Sequence, residues 1–288
     1  MESMTRFKVG FAMKRMMTVA CLLTFGAAYA AAPVLPKWTE PITGVEFVAL
    51  PKGCFQMGTA KPVAPPYDAS WERIGYKGNL AEDEVPQHEV CVDAFWMATT
   101  EVNDADWHKV MGGKLPANGG KRAKVGVTWL EAREFAARLT ASSDGKQRFR
   151  LPTEAEWEYA CRAGDNSNQA PQLGELSEKT LSEMAWYRHS PKRSYEVRET
   201  GILRPNAFGL HDMMGNAWEW TQDSYQADAY ARHPLYNPKV EADGQPRVMR
   251  GASFRTEMAH MRCAMRGRYD PAQTMDSIGL RLVRVQEK

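Results

Sequence analysis

From about residue 165 to residue 250 the sequence sustains neither a helical nor a strand period, and this span limits the fold more than any other feature. It is nonetheless rich in core-forming residues, with Trp186, Tyr187, Phe208, Trp218, Trp220 and Tyr225 spread along it. The regular elements lie on either side. From Val45, "VEFVALPKGCFQMG" alternates and then turns at Gly53, which predicts a hairpin, and "HEVCVDAFWMATTEV" returns to alternation with Val90, Val92 and Ala94 on one side. Three helix starts follow. Asn103 with Asp106 opens a helix that Gly112 and Gly113 stop, and Thr128 with Glu131 and Thr153 with Glu156 are T-x-x-E capping boxes. Leu130, Phe135, Ala136 and Leu139 make the apolar face of the second helix. Residues 59–88, rich in Pro, Asp, Glu and Gly, read as a long surface loop, and "RVMRGASF" and "GLRLVRV" alternate as strands. The fold class is α+β, one domain with few helices and much irregular backbone, a composition in which loops carry function.

The first 30 residues are of another kind. Lys14 and Arg15 precede the apolar run "MMTVACLLTFGAAYA", which ends in Ala28-Tyr29-Ala30, so residues 1–30 read as a secretory signal peptide cleaved after Ala30, with the start at Met1 or Met13. Cys21 as a lipoprotein cysteine is the alternative. A periplasmic location is expected, and residues 31–43, proline-rich and without a period, read as a linker. Residues 1–30 hold four basic residues (Arg6, Lys8, Lys14, Arg15) and one acidic (Glu2), from totals of 37 and 35, leaving 33 and 34. A near-neutral chain gives no argument for a nucleic-acid partner or an anionic membrane surface. Four cysteines remain, Cys54, Cys91, Cys161 and Cys263. In an exported protein an even number implies two disulfides, with three connectivities open.

Residue chemistry singles out two places. In "HDMMGNAWEW", Asp212 and Glu219 are oxygen donors flanking Gly215, where a tight turn can point carbonyls inward. That set suits a hard cation such as calcium, or else it is a turn with a solvated Asp and a hydrogen-bonded Glu between tryptophans. In "RGASFRTEMAHMRCAMR", Glu257 and His260 offer a general base and acid, against the plainer reading of an exposed loop Glu and a surface His. The arginines at 250, 255, 262, 266, 268, 281 and 284 read as solvated strand faces and carboxylate partners, with one or two lining a pocket for an anionic group. The six histidines show no zinc-type spacing, and no phosphate-cradling glycine loop or G-x-S-x-G occurs.

The segments "GCFQMG", "DEVPQHEVCVDAFWMATTEV", "VTWLEAREFAARL", "RFRLPTEAEWEYACRAG", "NAFGLHDMMGNAWEW", "RVMRGASF" and "IGLRLVR", in this order, resemble the formylglycine-generating enzyme (sulfatase-modifying factor) family across residues 45–285. The resemblance implies one domain, residues 44–288, with a C-type-lectin-like core, low in regular secondary structure and holding structural calcium. It places the calcium loop on Asp212, the carbonyls of Gly215 and Ala217, and Glu219. In members that make formylglycine, a cysteine pair after "GGS(Y/F)" binds copper(I) and oxidises a substrate cysteine with oxygen, as soft thiolates suit that ion. Here "RTEMAHM" separates "RGASF" from "RCAMR" without a cysteine, and Thr256 stands where the first metal-binding cysteine would fall. Cys263 matches instead a structural cysteine, so the resemblance implies disulfides Cys161–Cys263 and Cys54–Cys91, and no copper site. The family position of the pocket falls on Ser253, Thr256, Glu257, His260 and Trp218.

Among exported members without the cysteine pair, the chain resembles those that mature the chromophore of pyoverdine, a peptide siderophore, by oxidising its dihydroquinoline precursor. The resemblance therefore implies an oxidoreductase-like tailoring protein whose partners are a peptide or siderophore precursor and a possible partner oxidase. It names no redox cofactor. A lectin-like module that binds a peptide, a glycan or a partner protein is the alternative of a different class. Formylglycine generation itself is the third.

Overall fold

Each helix start read from the sequence is capped as expected. The side chains of Asn103, Thr128 and Thr153 each accept from the backbone N–H three residues on, and Asp106, Glu131 and Glu156 reciprocate. The structure, a computed structural model, describes residues 34–61, 82–117, 119–143, 146–163, 177–188 and 196–285. The signal peptide expected over residues 1–30 lies outside the described residues.

In chain order the elements are β1 (Lys37–Thr39), β2 (Glu46–Leu50), β3 (Gly53–Met57), β4 (His88–Val92), β5 (Phe95–Ala98), α1 (Asp104–Met111), α2 (Trp129–Ser142), β6 (Arg148–Arg150), α3 (Glu154–Arg162), α4 (Glu178–Met184), β7 (Trp218–Ser224), β8 (Arg247–Arg250), β9 (Arg266–Tyr269), β10 (Ile278–Gly279) and β11 (Val283–Val285). They form a five-stranded sheet in the order β1-β2-β5-β11-β6, a four-stranded sheet in the order β10-β7-β8-β9, and the ribbon β3-β4. The last strand of the chain thus sits between β5 and β6, antiparallel to both. The five-stranded sheet therefore joins segments from both ends of the described residues.

The segment read as a linker contains β1, which pairs antiparallel with β2 through Lys37 to Val48. The hairpin about Gly53 does not form: β2 joins β1 and β5 while β3 crosses to β4, where Cys54 faces Cys91 and the two are disulfide-bonded. Of the predicted surface loop, residues 59–61 and 82–88 are described; residues 82–84 form a single 3-10 turn with Asp83 and Glu84 buried, and His88 already belongs to β4. Leu130 is 54% exposed, and the inward face of α2 is instead Trp129, Ala132, Phe135, Ala136 and Leu139. In the weakly periodic span, α4 forms behind a Ser177 cap.

The core runs continuously from the aromatic cluster of Trp38, Phe47 and Phe149 to Trp157, Trp218 and Trp220. Helix α3 lies against β3, β4, β7 and β8, and every one of its nine residues is buried. It is not an apolar helix. Glu154 and Glu158, one turn apart, face a set of buried arginines: Arg250 from β8, Arg266 from β9 and Arg162 from α3 itself. Arg250, Arg262, Arg266 and Arg281 are therefore interior structural cations and not solvated strand faces. Burial pushes the Glu154 carboxyl up, but Arg266 and Arg250 outweigh it and hold it below the usual carboxylate value; Arg162 and Arg250 do the same for Glu158.

Candidate functional site

The loop that follows β8 is held from both ends and from below. At its start Gly251 has φ +96°, and a Cβ there would stand 3.0 Å from the Trp157 ring, so only glycine passes between the strand and α3. Its carbonyl accepts from Gly215 N–H at 2.7 Å, and Phe254 N–H donates to the Asn216 carbonyl at 2.9 Å, which seats the loop on the 212–219 turn. At its far end Cys263 is bonded to Cys161 of α3. The Arg250 guanidinium reaches across the base to the carbonyls of Cys263 (2.7 Å) and Ala264 (3.0 Å), and Arg262 pairs with Glu84. All four cysteines of the described residues are thus in disulfides, Cys54–Cys91 and Cys161–Cys263, and none of them is a thiolate.

Within this frame the expected site residues separate. Ser253 and Thr256 are buried and close a turn on each other: the Thr256 hydroxyl accepts from Ser253 N–H at 3.0 Å, and Thr256 N–H donates to the Ser253 carbonyl at 2.9 Å. The Ser253 hydroxyl oxygen accepts from Arg255 N–H at 3.2 Å. His260 ends the short 3-10 turn Met258–His260 and is 1% exposed, and Trp218 on β7 is core, its ring packed beside Gly267. Glu257 alone of the five reaches the surface. Its carboxylate lies 3.3 Å from an Arg188 guanidinium nitrogen, the two side chains being 32% and 40% exposed, and the Arg188 N–H donates to the Thr256 carbonyl at 2.8 Å. Arg188 is therefore fixed to the loop by its backbone and to Glu257 by its side chain. Sequence reading missed it, since nothing near Arg188 in the chain marks a partner 69 positions on.

The turn expected to hold calcium is a second, buried polar cluster. Gly215 has φ +82°, and a Cβ there would stand 2.1 Å from the Trp186 carbonyl oxygen; Asp212 and Asn216 take positive φ as well. Asp212 and Glu219 come together as expected, but the cation beside them is Arg281, which donates from Nε and Nη2 to the Glu219 carboxylate at 2.7–3.0 Å. Trp157 Nε1 donates to the same carboxylate at 2.7 Å. Asp212 accepts from Gly201 N–H at 2.7 Å through one oxygen, and its other oxygen is buried without a partner. Glu101 is the member that sequence reading missed. It accepts from Asn216 Nδ2 at 3.0 Å and from Ala217 N–H at 3.2 Å, and burial, then the charges of Asp212 and Glu219, push its carboxyl well above the usual range. Both Glu219 oxygens are already engaged by the Arg281 guanidinium, which leaves Asp212 Oδ1 as the one unengaged carboxylate oxygen of the set expected to hold calcium.

The architecture has relatives. A family profile described as the sulfatase-modifying factor enzyme 1-like domain matches residues 34–286. The chain belongs to this family. Within the sulfatase-modifying factor family, the formylglycine-generating enzyme of Mus musculus is 26% identical over 309 residues, covering 87% of this chain and 78% of the relative. The inactive C-alpha-formylglycine-generating enzyme 2 of Bos taurus is 34% identical over 137 residues, 45% of this chain and 38% of that protein. Among solved structures, PvdO from Pseudomonas aeruginosa superposes with a TM-score of 0.70 at 24% identity, over 86% of this chain and 97% of PvdO. The Treponema denticola variable protein 1 gives 0.67 at 25% identity, over 87% and 99% of the two chains. The family thus contains both catalytic and inactive members on one frame, and the side chains on the frame must decide between them.

Proposed function

We propose that the protein acts in the oxidative maturation of an exported peptide, the dihydroquinoline chromophore precursor of pyoverdine, with Glu257 as general base. The observation that carries this reading is the exposure of the Glu257–Arg188 pair on a loop whose cysteine is committed to a disulfide. Aromatising a dihydroquinoline removes two electrons and two protons. Glu257 takes the ring proton and hands it to water, while Arg188 keeps the carboxylate in one orientation. The two electrons and the second proton pass to an acceptor outside the chain, dioxygen or a partner oxidase. A periplasmic site of action follows from the leader read in residues 1–30. The fold shared with PvdO supports the same reading at the level of architecture.

The test is purified protein incubated with dihydro precursor, followed by chromophore absorbance. Wild type is expected to accelerate aromatisation and Glu257→Gln to reduce the rate by about 10²-fold or more, the usual weight of a general base. Equal rates would remove Glu257 from the mechanism. A second reading, a binding module without chemistry, is favoured by the burial of Ser253, Thr256, His260 and Trp218, each at most 3% exposed. It predicts that wild type binds the precursor and leaves its absorbance unchanged.

A further inference from the structure

Strand β8 carries the Gly251–Cys263 loop at one end and an open trough at the other. The trough encloses about 750 Å³ and is lined in part by Trp129, Arg133, Arg148, Arg150, Lys239 and Arg247. A second hollow of about 730 Å³ adjoins it across Arg148, Arg150, Gln222 and Lys239, which line both. Five cations line this surface, against Glu241 and Asp243 in the first hollow and Glu156 and Asp93 in the second.

The partners of these cations are unequal. Arg150 is engaged by both oxygens of Glu156, and Lys239 pairs with Glu241. Arg133 and Arg148 are exposed and bond to no carboxylate among the described residues. Arg133 stands over the Trp129 ring at 4.7 Å from the centroid, and Arg247 over the same ring at 4.0 Å. Arg247 donates from Nη1 to the Gln222 carbonyl (3.1 Å) and the Ser224 hydroxyl (2.9 Å), yet its Nε is buried without an acceptor. Burial, and then the charge of Arg133, work against its own charge, while Asp243, Asp223 and Glu241 partly offset them. Two guanidiniums gathered on one indole, one with an unmet buried N–H, lack the acceptor that their geometry is made to receive.

We propose that this trough is an oxyanion-binding site, in which Arg133, Arg148 and Arg247 supply the donors and Trp129 the flat wall, for a ligand bearing carboxylate or phosphate groups. Its volume fits a ligand of several residues' or rings' length. The site is separate from Glu257 and holds whichever reading of that residue is right.

Calorimetric titration of the whole mature protein with citrate, and separately with inorganic phosphate, at low chloride tests it. Wild type is expected to bind at least one of the two, more weakly as chloride rises, and the preferred probe tells carboxylate from phosphate. Because Arg133 and Arg148 are exposed, the double variant Arg133→Gln/Arg148→Gln keeps its fold and is expected to weaken that binding at least tenfold. Arg247→Lys, which keeps the charge and loses the fork, is expected to weaken it as well, while Arg122→Gln, outside the trough, leaves it unchanged. Absence of binding to either probe, or equal binding by wild type and the double variant, would overturn the proposal.

Discussion

His233 is a residue whose protonation the fold decides. Its Nδ1 lies 3.1 Å from His88 Nε2, and His88 Nδ1 lies 3.0 Å from the Pro86 carbonyl oxygen. A carbonyl only accepts, so the His88 proton sits on Nδ1 and its Nε2 accepts from His233 Nδ1–H. His233 Nε2 is then a bare lone pair, buried without a partner beside the Tyr230 ring. Burial pushes the imidazole down to about 4, with the nearby Glu154 pulling up and His88 and Arg266 pushing down. Unfolded, the same side chain takes its proton near pH 6.5. Between these values the unfolded chain binds more protons, so the stability from a neutral His233 is complete above pH 6.5 and drains away as pH falls toward 4. Urea unfolding at pH 7 and pH 5 is expected to show a larger loss for wild type than for His233→Gln; equal losses would mean that His233 titrates alike in both states.

At the scale of the element, α3 carries the most consequence. It is the floor of the Gly251–Cys263 loop, through Trp157 under Gly251 and the Cys161 disulfide, and it is also the acceptor for Arg250, which spans the loop's base. Arg250→Met would leave Glu154 with Arg266 and Glu158 with Arg162, each short of one partner, and the Cys263 and Ala264 carbonyls without a donor. Breaking a buried pair on one side costs about 3–5 kcal/mol, so a large drop in the urea midpoint is expected. An unchanged midpoint would show that the network is not needed for stability. Elements of this kind are legible in part. The caps at Asn103, Thr128 and Thr153 were readable because capping is a local contact over three residues. The inward turn of α3's glutamates was not, because a charge reads as solvent-facing until its partner, 92 to 112 positions away, is known. The hairpin about Gly53 failed for the same reason: alternation marks a strand and says nothing of which strand it meets.

For the molecule as a whole, the order of motifs along the chain announced the family, its α+β fold and its two disulfides, and the structure bears these out. The site was less legible. Burial of Ser253, Thr256, His260 and Trp218 depends on how the loop closes on the 212–219 turn, and Arg188 and Glu101 enter from distant segments with no pattern of their own. Of the expected site there remains a frame whose cysteine is locked to α3 and, among its five candidate side chains, the Glu257 carboxylate at the surface. The proposed chemistry rests on this carboxylate and on no thiol. Aromatisation of the dihydro precursor is therefore to be measured on unreduced protein before and after iodoacetamide treatment, alongside Glu257→Gln. Full activity after alkylation, with a loss of about 10²-fold in the variant, is the expected result. Activity abolished by alkylation and intact in Glu257→Gln would contradict it.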